Sequence, residues 1–214
     1  MLVDRNSGEI FVYDVIGNDM FGEGITAEAV MVALDSLGGK RAKIRINSPG
    51  GNADEGIAIY NALRRYKWGV DTVVDSLAAS AASVIALAGQ NRYTAKGGRW
   101  MMHRAMGVAF GNAEEISGYI DVLNKYDDSI IEIYSEHIDK PESEIRDMLA
   151  AETWFTTDEA IAIGLSTARE ATEAIKPNVA NWFKNAPANI YKEAIEGVKL
   201  PAVHRTAALI RSRM

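Results

Sequence analysis

A short β-like run that passes through a glycine-bearing turn into a helix recurs along this chain, and that order constrains the fold more than any other feature. Lys43-Ile44-Arg45-Ile46 runs into Asn47-Ser48-Pro49-Gly50-Gly51-Asn52, and Asn52 with Glu55 has capping-box spacing for a helix through Ile57, Ile59, Tyr60 and Leu63. Upstream, Glu9 to Ile16 alternates so that both faces are largely apolar, which suits a strand in a covered sheet. Thr26 then caps a helix that carries Ala29, Val30, Ala33, Leu34 and Leu37 on one face, and Gly38-Gly39 stop it. Val70 to Val74 is the next strand. It leads into Ser76-Leu77-Ala78-Ala79-Ser80-Ala81-Ala82-Ser83, an apolar helix entry that Gly89 can end at C′. Arg92-Tyr93-Thr94 and Arg99-Trp100-Met101-Met102 follow as short strands, the second closing on His103. Repeated β-then-α order implies an α/β fold with right-handed crossovers and a largely parallel sheet.

The second half is helical. Asn112 and Glu115 make a capping box, and Ile116, Ile120, Leu123, Tyr126, Ile130, Ile133 and Tyr134 keep helical period to about His137. A helix of that length is expected to project in part from the core. Asp139-Lys140-Pro141 breaks it and starts another helix through Ile145, Met148 and Leu149. Thr156 and Glu159 cap a short helix that Gly164 ends, and beyond about Ala171 the periodicity weakens into a basic tail containing His204, Arg205, Arg211 and Arg213.

Composition narrows the chemistry. With 214 residues and 48% hydrophobic content the chain supports one substantial core. No run is long and apolar enough for a membrane span, and Met1-Leu2-Val3-Asp4-Arg5 lacks the layout of a secretory signal, so a cytoplasmic setting is the expectation. The formal net charge of −6 argues against a nucleic-acid partner. Without Cys, an acyl-transfer nucleophile must be Ser, Thr or Lys, and three scattered His do not suggest a metal cluster. Neither a metal nor another cofactor is expected.

Serine acyl transfer needs a nucleophile, a base of near-neutral pKa in hydrogen-bond reach, and N–H donors for the tetrahedral oxyanion. Ser80 falls where strand passes into helix, close to the free N–H groups and positive dipole end of a helix start. Ala/Ser-rich segments also serve close helix packing, and the two readings separate only if a base and donors exist elsewhere. His103 ends a β-like run ahead of a loop, whereas His137 reads as a helix-end cation and His204 lies in the tail. Gly50-Gly51 lets main-chain N–H groups meet a carbonyl without a Cβ in the way, and the N–H of Ala81 is the second candidate donor. For the carboxylate that would orient His103, Glu152 and Asp158 flank Thr153-Trp154-Phe155-Thr156, and either could reach.

Four blocks in order resemble the proteolytic subunit of Clp, a serine peptidase: Ile46-Asn47-Ser48-Pro49-Gly50-Gly51; Ala78-Ala79-Ser80 with Ala88-Gly89; Met101-Met102-His103; and Thr156 to Leu165. The resemblance spans about Glu9 to Ser166. It implies the ClpP/crotonase fold of stacked ββα units with a projecting handle helix over about 112–137, a peptidase domain over 1–170 and a C-terminal extension over 171–214. It further implies Ser80 as nucleophile, His103 as base, Gly51 and Ala81 as oxyanion hole with Gly50 against the substrate, and Glu152 where the family usually has Asp. His103-Arg104-Ala105 stands where the family usually has His-Gln-Pro.

These departures resemble the Clp-type peptidases of phages and prophages that process capsid or scaffold proteins. The implied activity is a serine endopeptidase, without ATPase function of its own, acting through an acyl-enzyme inside an oligomeric chamber. Its implied partners are a peptide or protein substrate, further copies of the chain in rings such as stacked heptamers, and a separate AAA+ unfoldase or phage capsid proteins. No G-x-x-x-x-G-K-[ST] motif occurs in the chain itself. Two other readings use the same residues: a crotonase-type acyl-CoA enzyme, which would employ Glu/Asp acid–base chemistry, and an inactive ring-forming structural protein.

Overall fold

The computed structural model describes residues 1–18 and 24–171, and Met1–Thr172 form one compact unit. The tail and its His204 lie outside the described residues. Strands β1 (Leu2–Asp4) and β2 (Glu9–Val12) pair antiparallel, and β2 pairs parallel with β3 (Ala42–Ser48). Parallel pairing continues from β3 to β4 (Val70–Ala79), from there to β5 (Asn91–Thr94), and on to β8 (Ala168–Arg169). Ile10, Val12, Ile44 and Ile46 are fully buried in this sheet, each worth about 1.5–3 kcal/mol of apolar burial.

β4 is long enough to serve two partners on one edge. Its first half, Asp71 to Val74, pairs with β5; its second, Leu77 to Ala79, pairs with β6 (Arg99–Met102). β6 in turn pairs antiparallel with β7 (Thr153–Thr156). The sheet is therefore largely parallel, as the βα order predicts, with antiparallel pairs at β1/β2 and β6/β7. Fully buried Trp100 fastens the fork, donating from Nε1 to Thr94 Oγ1 at 2.9 Å while Thr94 donates to Ser166 Oγ at 3.0 Å.

Helices follow their capping signals. Thr26 caps α1 (Ala27–Ser36), accepting from the Ala29 N–H; Asn52 caps α2 (Ala53–Arg65), accepting from the Glu55 N–H. The expected box at Asn52 is only half formed, because the Glu55 carboxylate accepts from the Ala27 N–H at 2.6 Å and so ties the two helix starts together. Full capping boxes form at Asn112 for α4 (Ala113–Ser135) and at Thr156 for α6 (Thr157–Ala162), with α5 (Glu142–Ala150) between them after Pro141. In α4, Ile116 and Ile120 are exposed while Ile130, Ile131, Ile133 and Tyr134 are buried, so its first half projects and its second packs on the core.

Three expectations need correction. The first strand stops at Val12, and Ile16 instead makes isolated bridges to Ile25 and Gly51. The helix after Ser80, α3 (Ala81–Ala86), is wholly buried and ends at a Leu87 cap, so Gly89 is not its left-handed terminator. A Cβ on Gly89 would lie 2.5 Å from Thr72 Oγ1, and close approach to β4 is what demands glycine there. His137 is no helix-end cation: burial and the neighbouring Arg92 push its pKa down to about 4, leaving a neutral ring whose Nε2 has no partner.

Candidate active site

Ser80 is the turn between β4 and α3, and its backbone is unusual for a residue with a side chain. Its φ of 54° and ψ of −127° fall in a region that costs about 1–3 kcal/mol for anything but glycine. Two attachments hold it. The Ser80 N–H donates to the Met101 carbonyl of β6 at 2.9 Å, and the Ser80 carbonyl accepts from Ser83 Oγ at 2.5 Å. Ser83 is itself pinned to the buried Tyr134 hydroxyl at 2.6 Å, and burial raises that phenol's pKa. The Ser76–Ala79 segment that reads as a helix entry is thus the end of a strand, driven straight into a strained turn.

His103 follows β6 by one residue. Because β6 lies beside the end of β4, the imidazole meets the serine: Nε2 and Ser80 Oγ are 2.7 Å apart. This contact joins residues 23 apart in sequence, which the pairing of β4 with β6 brings together.

Of the Pro49-Gly50-Gly51 loop, Gly50 is held against Ser80, while Gly51 lies against the Ile16 backbone. Gly50 has φ 93°, and a Cβ there would lie 2.6 Å from the Ala79 carbonyl oxygen and 2.7 Å from Ser80 Cβ. Buried Ser48 braces the loop, donating to the Asp14 carbonyl at 2.6 Å and accepting the Gly50 N–H at 3.1 Å. Ile16 has its N–H and carbonyl taken by the residues on either side of Gly51, so the N–H of Gly51 itself faces away from that bridge. Among the described residues it meets no acceptor, and the Ala81 N–H, at the first position of α3, has no acceptor within its helix.

Gly50, Gly51, Ser80, Ala81 and His103 all line one cleft of about 580 Å³, whose apolar wall includes Ile57, Val84, Met101, Leu123, Ile130 and Tyr134. Asp54 is the one carboxylate among the described lining residues, and it accepts from the Tyr126 hydroxyl at 2.8 Å.

Neither candidate for the third residue bonds His103 here. Glu152 sits in the left-handed region with φ 49°, and its Oε1 accepts from Trp154 Nε1 at 3.3 Å. Asp158 accepts from Arg169 Nη2. Sequence reasoning marked Arg104 only as a departure and missed its partner, the buried Asp127 that accepts from its Nε at 2.6 Å, as it missed the place of Tyr134 beneath the serine turn. Both depend on α4 docking beside the cleft, a long-range packing that no local pattern encodes.

A serine hydroxyl on an imidazole, beside a loop with free amide N–H groups and an apolar cleft, is the geometry of serine acyl transfer. The Clp protease family model matches residues 5–168, and the chain belongs to that family, the ClpP-type peptidases. It is 30% identical to ATP-dependent Clp protease proteolytic subunit 1 of Protochlamydia amoebophila over 75% of this chain and 79% of that one. It is 31% identical to the protein of the same name from Chlamydia pneumoniae over 68% of this chain and 82% of that one. The structure of a mutant ClpP1 from Listeria monocytogenes superposes with a TM-score of 0.69 at 22% identity, covering 79% of this chain and 94% of the other, which establishes the ClpP fold.

Proposed function

We propose that the chain is a serine endopeptidase working through an acyl-enzyme, and the observation that carries this reading is the 2.7 Å contact between Ser80 Oγ and His103 Nε2. His103 takes the hydroxyl proton as Ser80 attacks the scissile carbonyl. The tetrahedral oxyanion is received by the N–H groups of Gly51 and Ala81, which cost no reorganisation because the loop and the turn already hold them. His103 then gives the proton to the leaving amine, and water releases the acyl group by the same steps in reverse order. Gly50 keeps the substrate backbone close to Ser80.

Glu152 takes the third role in this reading. To do so its carboxylate must leave the Trp154 indole and accept from His103 Nδ1, where it would stabilise imidazolium. The apolar cleft wall suits a hydrophobic substrate side chain. Rings of this chain would enclose the sites, with unfolding energy from a separate ATPase, and capsid or scaffold proteins of a phage or prophage are the substrates we favour. A crotonase-type reaction is disfavoured, because among the described residues the cleft offers only Asp54 as a carboxylate, already bonded to Tyr126.

The test is hydrolysis of a fluorogenic peptide with an apolar residue before the scissile bond. Ser80→Ala and His103→Ala should each lose at least about 10³-fold in kcat with the fold intact. Undiminished turnover in Ser80→Ala would end the proposal, and normal assembly with no turnover by the unmodified protein would favour the inactive structural reading.

A further inference from the structure

We propose that Asp127 on α4 is a positioning residue: together with Arg104 and Ala105 it clamps the chain just after His103 and so sets the imidazole against Ser80. The inference rests on the Ser80–His103 reading above. β6 ends at Met102, so no strand ladder holds the backbone beyond His103. Among the described residues the His103 ring has one hydrogen-bond partner, Ser80 Oγ, and its orientation therefore depends on the residues that follow.

Those residues are fixed from three directions. The Arg104 N–H donates to the Leu149 carbonyl at the end of α5, 3.2 Å away. Its Nε donates to Asp127 Oδ2 at 2.6 Å, while the Ala105 N–H donates to Asp127 Oδ1 at 2.7 Å. Arg104 Nη2 reaches Asn124 Oδ1, one helical turn back on α4, at 2.9 Å.

Asp127 is only 3% exposed, and a buried carboxylate persists where its oxygens are matched by donors. Here each oxygen has one, a guanidinium and a main-chain N–H. The two departures at 104 and 105 then have a single physical reason. Arg104 supplies the cation that a glutamine could not, and Ala105 supplies an N–H that proline lacks. The Arg104 side chain is half exposed, so what the pairing adds is geometry at the turn more than bulk stability.

Saturation kinetics of a fluorophosphonate probe on the full chain test this, with the limiting labelling rate and the half-saturation concentration measured separately. Asp127→Asn and Arg104→Gln should lower the limiting rate about tenfold or more while half-saturation moves less than about threefold, since misplacement of a catalytic group by an ångström costs up to about a hundredfold. Arg104→Lys keeps the charge on Asp127 and should recover most of the rate. If Asp127→Asn does not fold, the half-exposed Arg104 decides. Limiting rates within about twofold of the unmodified protein in Arg104→Gln, or a loss confined to half-saturation, would overturn the clamp. Equal labelling of Ser80→Ala would instead overturn the nucleophile assignment, and the clamp with it.

Discussion

Replacing Ser80 by glycine should yield a more stable protein than replacing it by alanine, although both lack the hydroxyl. At φ 54° and ψ −127° a Cβ is strained by about 1–3 kcal/mol, and alanine keeps that strain while glycine removes it. Against this, glycine loses more backbone freedom on folding, at a cost of about 0.5–1 kcal/mol. Neither variant keeps the contact to His103, so that loss cancels in the comparison. The difference runs from about 0 to about 2.5 kcal/mol, so the central expectation is a Ser80→Gly protein about 1 kcal/mol more stable than Ser80→Ala. For a chain of this size each kcal/mol moves the thermal midpoint by about 2–4 °C, so the two melts should separate by about 2–4 °C. Thermal unfolding of both variants side by side, at one protein concentration and pH, reads the difference. A Ser80→Ala protein that melts above Ser80→Gly would refute the claim that the turn stores strain at the nucleophile.

Gly50→Ala should lower kcat/KM by up to about a hundredfold, because its Cβ would stand 2.6 Å from the Ala79 carbonyl and push the loop off Ser80; activity near that of the parent would show that the loop is not seated there. Thr94→Val leaves the buried Trp100 N–H without an acceptor and should destabilise by about 1–3 kcal/mol in a denaturant melt, with peptide turnover under non-denaturing conditions little changed. His137, neutral down to about pH 4 in the fold, takes up its proton near pH 6.5 once unfolded, so the unfolded state binds more protons between those values and stability falls as pH drops through that window. With discount for its partial exposure this amounts to about 1–2 kcal/mol, and His137→Gln should flatten the dependence of the thermal midpoint between pH 7 and pH 4.5.

What the sequence made legible were features decided within a few residues. The caps at Thr26, Asn112 and Thr156 form as read, since a side-chain oxygen three residues ahead of an N–H needs no distant partner. The placement of Ser80, His103 and the Gly50-Gly51 loop at strand ends and turns was legible too, since α/β sheets form such junctions at each crossover. Features decided by pairing between distant segments were not. β7 exists because Thr153–Thr156 lies against β6, and Ser76–Ala79 is strand because β6 needs a partner there, although its small residues read equally well as helix. Glu55 forsakes its own cap for Ala27, Glu152 turns to Trp154, and Arg104 finds Asp127 on a helix whose docking only the assembled core determines.

The most direct test of the account is to map where a fluorophosphonate attaches to the native protein, by peptide mass spectrometry alongside Ser80→Ala and His103→Ala. The account predicts a single adduct on the peptide carrying Ser80, absent in Ser80→Ala and at least about 10³-fold slower to form in His103→Ala. An adduct on another residue, or one that forms undiminished without His103, would contradict it.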